Sequence, residues 1–192
     1  KAKNNDKAPS ASRIKMATVG APNVNTFKNY YSKWLKYELV EESIVPDEMA
    51  LSWGCPLSSG KPYVLLRPQS KEDVFIRAVE IDPVPSYKAM NSWGWNAIEI
   101  ICDDVDKIHS ELLHSEFRHI GGPANLMGGN SSIRASQYIG PAEEVIYLTC
   151  ETGDRSKSNL PIPKSDIGRI FIMILARINI NEMESFYANL FN

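Results

Sequence analysis

A chain of 192 residues with 43% hydrophobic content can bury one globular core of about 100–150 residues with something left over. Its net charge of −2 with no basic block argues against nucleic acid as a partner, and no apolar run approaches the roughly 20 residues that span a bilayer. Three cysteines, Cys55, Cys102 and Cys150, lie far apart and form no CxxC, which argues against a disulfide framework or structural zinc.

Lys1–Ser12 is Lys, Asn, Ala, Ser and Pro without periodicity and is expected to be a flexible lead-in. Ile14–Val19 reads as a short strand. Pro22-Asn23 breaks it, and Asn23 or Asn25 can cap a helix whose apolar stripe is Val24, Phe27, Tyr31 and Trp34. Tyr37–Val45 reads as a strand, Pro46-Asp47 opens a short helical turn, and Gly54–Lys61 is a loop. Two more strands, Pro62–Arg67 and Asp73–Ile81, are linked by a polar turn. Asp82–Gly94 is a crossover that ends in Trp93-Gly94-Trp95.

The order then repeats. Ala97–Cys102 is a strand, Asp104 a cap, and 104–115 a helix with Val105, Ile108 and Leu112 buried. Phe117–Ile120 reads as a strand before a turn at Gly121-Gly122-Pro123, and Asn125–Asn130 is a loop. Ile133–Tyr138 and Glu144–Cys150 close the set, with Cys102 and Cys150 as small core residues. Gly153–Ser165 is a linker by composition. A third strand, Ile170–Leu175, then precedes a helix capped by Asn179 or Asn181, with Met183, Phe186, Tyr187 and Leu190 as its stripe. Strand, helix and three strands, taken twice, give an α+β fold of paired βαβββ modules. Each module leaves one sheet face uncovered, so two of them form a half-barrel around a cavity. The division expected is 1–12 lead-in, 13–152 paired modules, 153–166 linker and 167–192 the opening of a further, incomplete module, so the natural protein is expected to continue.

The turn at Asn23 with the helix ending in Tyr30-Tyr31, the second turn Asp104-Val105-Asp106, and the closing Gly140-Pro141-Ala142-Glu143 before Val145–Leu148 together resemble the vicinal oxygen chelate superfamily. This is the fold of glyoxalases, bleomycin-resistance proteins and extradiol dioxygenases. The resemblance covers about 12–152, and 168–192 resemble the opening of another pair. It implies a divalent metal held by His, Gln or Glu on the first and last strands of each module. Those positions carry Met16, Ala97, Arg77 and Tyr147 here, or, one residue out of register, Lys15, Asn96, Ile76 and Ile146. Neither set suits a divalent cation. No metal site is therefore expected in this pair of modules, and a divalent metal is left to a second domain of a longer protein. His109, His114 and His119 read as surface or core-edge residues.

Strand alternation places Trp95, Glu99 and Ile101 with Ala97, Val145 and Thr149 with Tyr147, and Thr18 with Met16. Arg77, Trp95, Thr18 and Met16 are thus the expected ligand-binding residues. Arg77 would hold a carboxylate by a two-point contact. Glu99 and Tyr147 are the expected catalytic pair, a desolvated carboxyl to move a proton and a phenol to donate to a carbonyl or enolate oxygen. The plainer alternative is that Arg77 and Glu99 pair with each other or face water. Together the resemblance and these residues imply a glyoxalase- or dioxygenase-like protein acting on a small anionic or aromatic molecule, as a lyase, isomerase or dioxygenase. The alternative is a protein of the bleomycin-resistance type that sequesters such a molecule without chemistry. The expected setting is cytoplasmic, with a secreted or periplasmic mature form left open. The orphan strand and helix need a partner, which a homodimer would supply.

Overall fold

A computed structural model describes residues 13–126 and 131–191. The lead-in read over 1–12 and most of the loop read over 125–130 lie outside the described residues.

The first module runs β1 (Met16–Ala21), α1 (Val24–Trp34), β2 (Glu38–Ile44), α2 (Asp47–Ser52), β3 (Pro62–Arg67) and β4 (Phe75–Glu80). Asn23, of the two candidates, caps α1: its side chain accepts from the Thr26 amide at 2.8 Å and satisfies one orphan donor of the first turn. Val24, Phe27 and Tyr31 are buried as the helical period requires. Trp34 is only partly buried, and Leu35 takes the core place at the end of the stripe. The Trp34 indole instead donates to Glu116 of the second module at 2.6 Å.

The second module runs β5 (Gly94–Cys102), α3 (Val105–Leu112), β6 (Arg118–Asn125), β7 (Ile133–Ile139) and β8 (Val145–Glu151). Asp104 caps α3 by accepting from the amides of Asp106 and Lys107, both at 3.0 Å. The helix stops three residues short of the expected end, where the Ser115 hydroxyl donates to the Leu112 carbonyl at 2.6 Å. Gly121-Gly122-Pro123 does not end a strand. It lies within β6 as a double register shift against β7. An edge strand tolerates this, because a bulge absorbs the missing proline donor. Gly122 has φ +79°, and a Cβ there would stand 2.3 Å from the Ala135 carbonyl oxygen.

The α+β expectation of βαβββ modules holds, as two curved, unclosed sheets. The four-stranded sheet has order β1-β4-β3-β2, with β1 parallel to β4. The five-stranded sheet has order β6-β7-β8-β5-β9, with β5 parallel to β8. The last member is β9 (Ile167–Ala176), antiparallel to β5 and followed by α4 (Ile180–Phe191). Asn179 supplies the cap of α4, accepting from the amides of Asn181 and Glu182 at 3.1 and 3.2 Å.

The two modules are therefore not joined through their opening strands, since β9 occupies the free edge of β5. They meet instead across one continuous apolar core. Phe27, Tyr31, Leu66 and Ile76 of the first module share it with Ile100, Leu112, Tyr138 and Leu148 of the second. Tyr31 stacks on Phe27 at 4.1 Å and meets Phe117 edge-on at 5.9 Å. Full burial of each such side chain contributes about 1.5–3 kcal/mol. The Tyr37 hydroxyl donates to the Gly168 carbonyl at 2.8 Å and ties β9 to the first module. Cys102 and Cys150 are buried in this core, as their strand positions imply.

Candidate functional site

The residues expected to share one hollow are divided between two sheet faces. On the first sheet, β1 and β4 run parallel with Thr18 opposite Arg77, so both side chains stand on the face away from α1. The Arg77 guanidinium donates to Thr18 Oγ1 through Nε at 3.1 Å and through Nη2 at 2.8 Å. Its Cζ lies over Trp53, 4.1 Å from the ring centroid. Part-burial pulls its pKa down from the ordinary value. Trp53 comes from the chain just after α2, which folds over this face and packs Val45 and Ala50 on Tyr63 and Val79. Met16 stands two residues from Thr18 on the same face and is exposed.

On the second sheet, Glu99 of β5 lies opposite Tyr147 of β8. Glu99 is buried, and its carboxylate accepts from the Thr149 hydroxyl at 2.7 Å. Desolvation raises its pKa against that hydrogen bond. Burial and the Glu99 charge raise Tyr147 in turn. The pairing of Arg77 with Glu99 does not form: the first is engaged by Thr18 and Trp53, the second by Thr149. Glu99 and Tyr147 are thus brought together, as are Arg77, Thr18 and Met16, while the two groups stand apart.

A third place lies between the modules. A cavity of about 380 Å³ opens beside the free edge of β1, bounded by the starts of β5 and β8 and by the crossover after β4. Trp95, Tyr87, Val84, Ile81, Val145 and Met173 give it apolar and aromatic walls, and Thr18, Asn96, Glu143 and Glu144 supply polar atoms. Thr18 and Trp95, two of the expected ligand residues, meet here, with Ala97 beside them. Because Thr18 also holds Arg77, the guanidinium is one side chain behind the wall.

Glu144 is the chemically distinctive group of this cavity. It follows the Gly140–Glu143 turn, and its carboxylate folds back over that turn. A Cβ on Gly140 would come 1.9 Å from its Oε1, so glycine is required there. Oε1 accepts from the Tyr31 hydroxyl at 2.9 Å and Oε2 from the Ala142 amide at 2.8 Å. Burial nonetheless dominates these hydrogen bonds and pushes the carboxyl up to about 7. Burial, together with the neighbouring Glu144 carboxyl, raises Tyr31 well above the ordinary phenol range. Sequence reasoning puts Glu144 merely at the start of a strand and Tyr31 merely in a helix stripe. One signal was available: Glu144 is in phase with Ile146, Leu148 and Cys150, so an acid sits on the core-facing side of its strand.

No protein-family model matches the sequence, and none of the curated proteins matches it. Solved structures do match in fold. Glyoxalase I of Zea mays superposes at TM-score 0.54 and 16% identity, covering 71% of this chain and 44% of that one. A glyoxalase family protein from Bacillus cereus matches at TM-score 0.56 and 12% identity, over 79% of this chain and 100% of that one. One from Enterococcus faecalis matches at 0.53 and 13%, over 71% and 95%. This chain spans less than half the length of the maize enzyme. At these identities the likeness is one of architecture: the chain has the vicinal oxygen chelate fold.

That fold implies a divalent metal on the sheet faces, and the residues here do not fit one. Met16, Ala97, Arg77 and Tyr147 bear a thioether, a methyl, a guanidinium and a phenol, and the guanidinium is already committed to Thr18 and Trp53. Glu99 is a single carboxylate already engaged by the Thr149 hydroxyl. Among the described residues no three His, Cys, Asp or Glu side chains converge. No helix among them is long and apolar enough to cross a membrane.

Proposed function

Given the vicinal oxygen chelate fold of this chain, we propose that the protein binds a small aromatic molecule in the cavity between its two modules and that Glu144 exchanges a proton with it. The observation that carries this reading is that Glu144, whose buried carboxyl is shifted to about 7, is among the residues lining the 380 Å³ cavity. An apolar, aromatic-walled cavity with a few convergent polar groups is the usual form of a small-molecule site. A carboxyl near neutrality is suited to both halves of a proton transfer, because acid and base are populated together. Trp95 and Tyr87 offer faces for a ring, and an anionic group carried past Thr18 reaches Arg77. Glu99 and Tyr147 form a second proton-handling pair on the neighbouring sheet face. The lyase or isomerase class fits such residues better than ring-cleaving oxygenation, for which these sheet faces present no ligand set.

A second reading is sequestration without chemistry. It is favoured by the fact that both Glu144 oxygens already accept hydrogen bonds within the protein. The two readings part in one experiment. Thermal shift against aromatic carboxylates, phenols and enolisable carbonyl compounds identifies binders, and NMR in D₂O then follows exchange or turnover of each. The enzymatic reading expects solvent-proton exchange that is lost in Glu144→Gln while binding persists. Binding with no exchange leaves sequestration standing. Binding that Trp95→Ala and Tyr87→Ala leave unchanged removes the cavity from both readings.

A further inference from the structure

Outside this cavity, α3 and the bulged edge strand β6 bring two histidines together over Tyr138. The His109 and His119 rings lie with centroids 4.6 Å apart, tilted by 55°. Each is held by its other nitrogen. His119 Nε2 is 2.8 Å from the Gly122 carbonyl oxygen, and His109 Nδ1 is 2.8 Å from the Tyr138 hydroxyl. A carbonyl accepts and never donates, so His119 donates from Nε2, and Nδ1 is the nitrogen left over for a ligand. The Ser136 hydroxyl lies 3.1 Å from the Gly121 carbonyl and 3.0 Å from Tyr138 Oη. His109 Nδ1 is thus engaged by the Tyr138 hydroxyl, and Nε2 is the nitrogen left over for a ligand.

The two imidazoles stand side by side, each with one nitrogen bonded to the protein and the other without a partner among the described residues. A metal-ligating histidine has this arrangement: the outer hydrogen bond fixes tautomer and ring orientation. A metal held by both open nitrogens at about 2.1 Å would lie about 3.2 Å from each ring centre, and centres 4.6 Å apart would then subtend about 90° at it. That angle suits two adjacent positions of a tetragonal or octahedral ion. His119 is exposed and His109 half-buried, so solvent reaches the pair. Asp106, whose charge acts on His109, is taken by Nε and Nη2 of Arg134 at 2.7 and 2.8 Å. We propose that His109 and His119 form a two-histidine site for an imidazole-preferring divalent transition metal, Cu²⁺ or Ni²⁺, with water in the remaining positions. Affinity among first-row ions favours these two at nitrogen ligands.

The test is calorimetric titration of the untagged protein with Ni²⁺, together with electron paramagnetic resonance of the Cu²⁺ form. The proposal expects one equivalent bound and two nitrogens in the Cu²⁺ spectrum. It further expects at least a tenfold loss of affinity in His119→Ala, an exposed position where folding is preserved, and no change in His114→Ala. Absence of uptake by the wild type overturns it. So does uptake that His119→Ala leaves unaltered, or a Cu²⁺ spectrum with a single nitrogen. His109→Gln, checked for cooperative unfolding, gives an independent second arm with the same expectation.

Discussion

Replacing Glu144 by Gln removes the ionisation but keeps the size of the side chain, and its effect is set by burial. In the folded chain the carboxyl is shifted from 4.5 to about 7. Each tenfold change in proton affinity is worth about 1.4 kcal/mol, so the folded state favours the protonated form by about 3 kcal/mol. The folded pKa is raised, so this contribution is fully present below pH 4.5 and is lost as pH rises through 7. Wild-type stability should therefore fall between about pH 4 and 7.5 by an amount that Glu144→Gln does not share. At about 2–4 °C per kcal/mol for a chain of this size, the difference between the two melting curves should drift by roughly 6–12 °C across that window. Glu99 titrates in the same sense and His109, whose pKa burial lowers, in the opposite one. Both are present in both proteins and cancel in the difference. Urea unfolding of each protein at half-unit steps measures it. A stability difference that is constant from about pH 4 to 7.5 would refute the buried, near-neutral carboxyl and the proton-transfer reading with it.

Tyr31→Phe removes a donor that favours the ionised carboxyl, so the Glu144 pKa should climb above its wild-type value, as followed by carboxyl carbon NMR. The same variant should lose about 1–3 kcal/mol above about pH 7, where a buried carboxylate is left one partner short. Arg77→Ala should unfold cooperatively with a loss of only about 1 kcal/mol from its stacking on Trp53, and should abolish binding of any anionic ligand the wild type takes. Unchanged affinity in a titration would remove Arg77 from the site. Gly122→Ala meets both a positive φ and the Ala135 carbonyl oxygen at 2.3 Å. It should destabilise the chain by at least about 1–3 kcal/mol, and an unaltered melting temperature would contradict the bulge geometry.

The sequence by itself carried whatever depends on near neighbours. Asn23, Asp104 and Asn179 cap three helices because a short polar side chain reaches amides two or three residues on. Thr18 could be placed beside Met16, and Thr149 beside Tyr147, because side chains alternate along any strand. The order of strand, helix and three strands, repeated, was enough to give the module and its uncovered face. The departures of Met16, Ala97, Arg77 and Tyr147 from metal-ligand chemistry were equally plain, since they are matters of residue type.

Tertiary structure alone decided which edges meet. Strand pairing is made by backbone groups that every residue carries, so nothing in β5 marks its free edge for β9 rather than for β1. That choice divided Arg77 from Glu99 and opened the cavity at the module junction. It also put Tyr31 against Glu144, 113 residues further along the chain. The ionisation of Glu144 and the meeting of His109 with His119 depend on such encounters. They are set by the loss of water around a group and by the partners that replace it, and those belong to the folded chain as a whole.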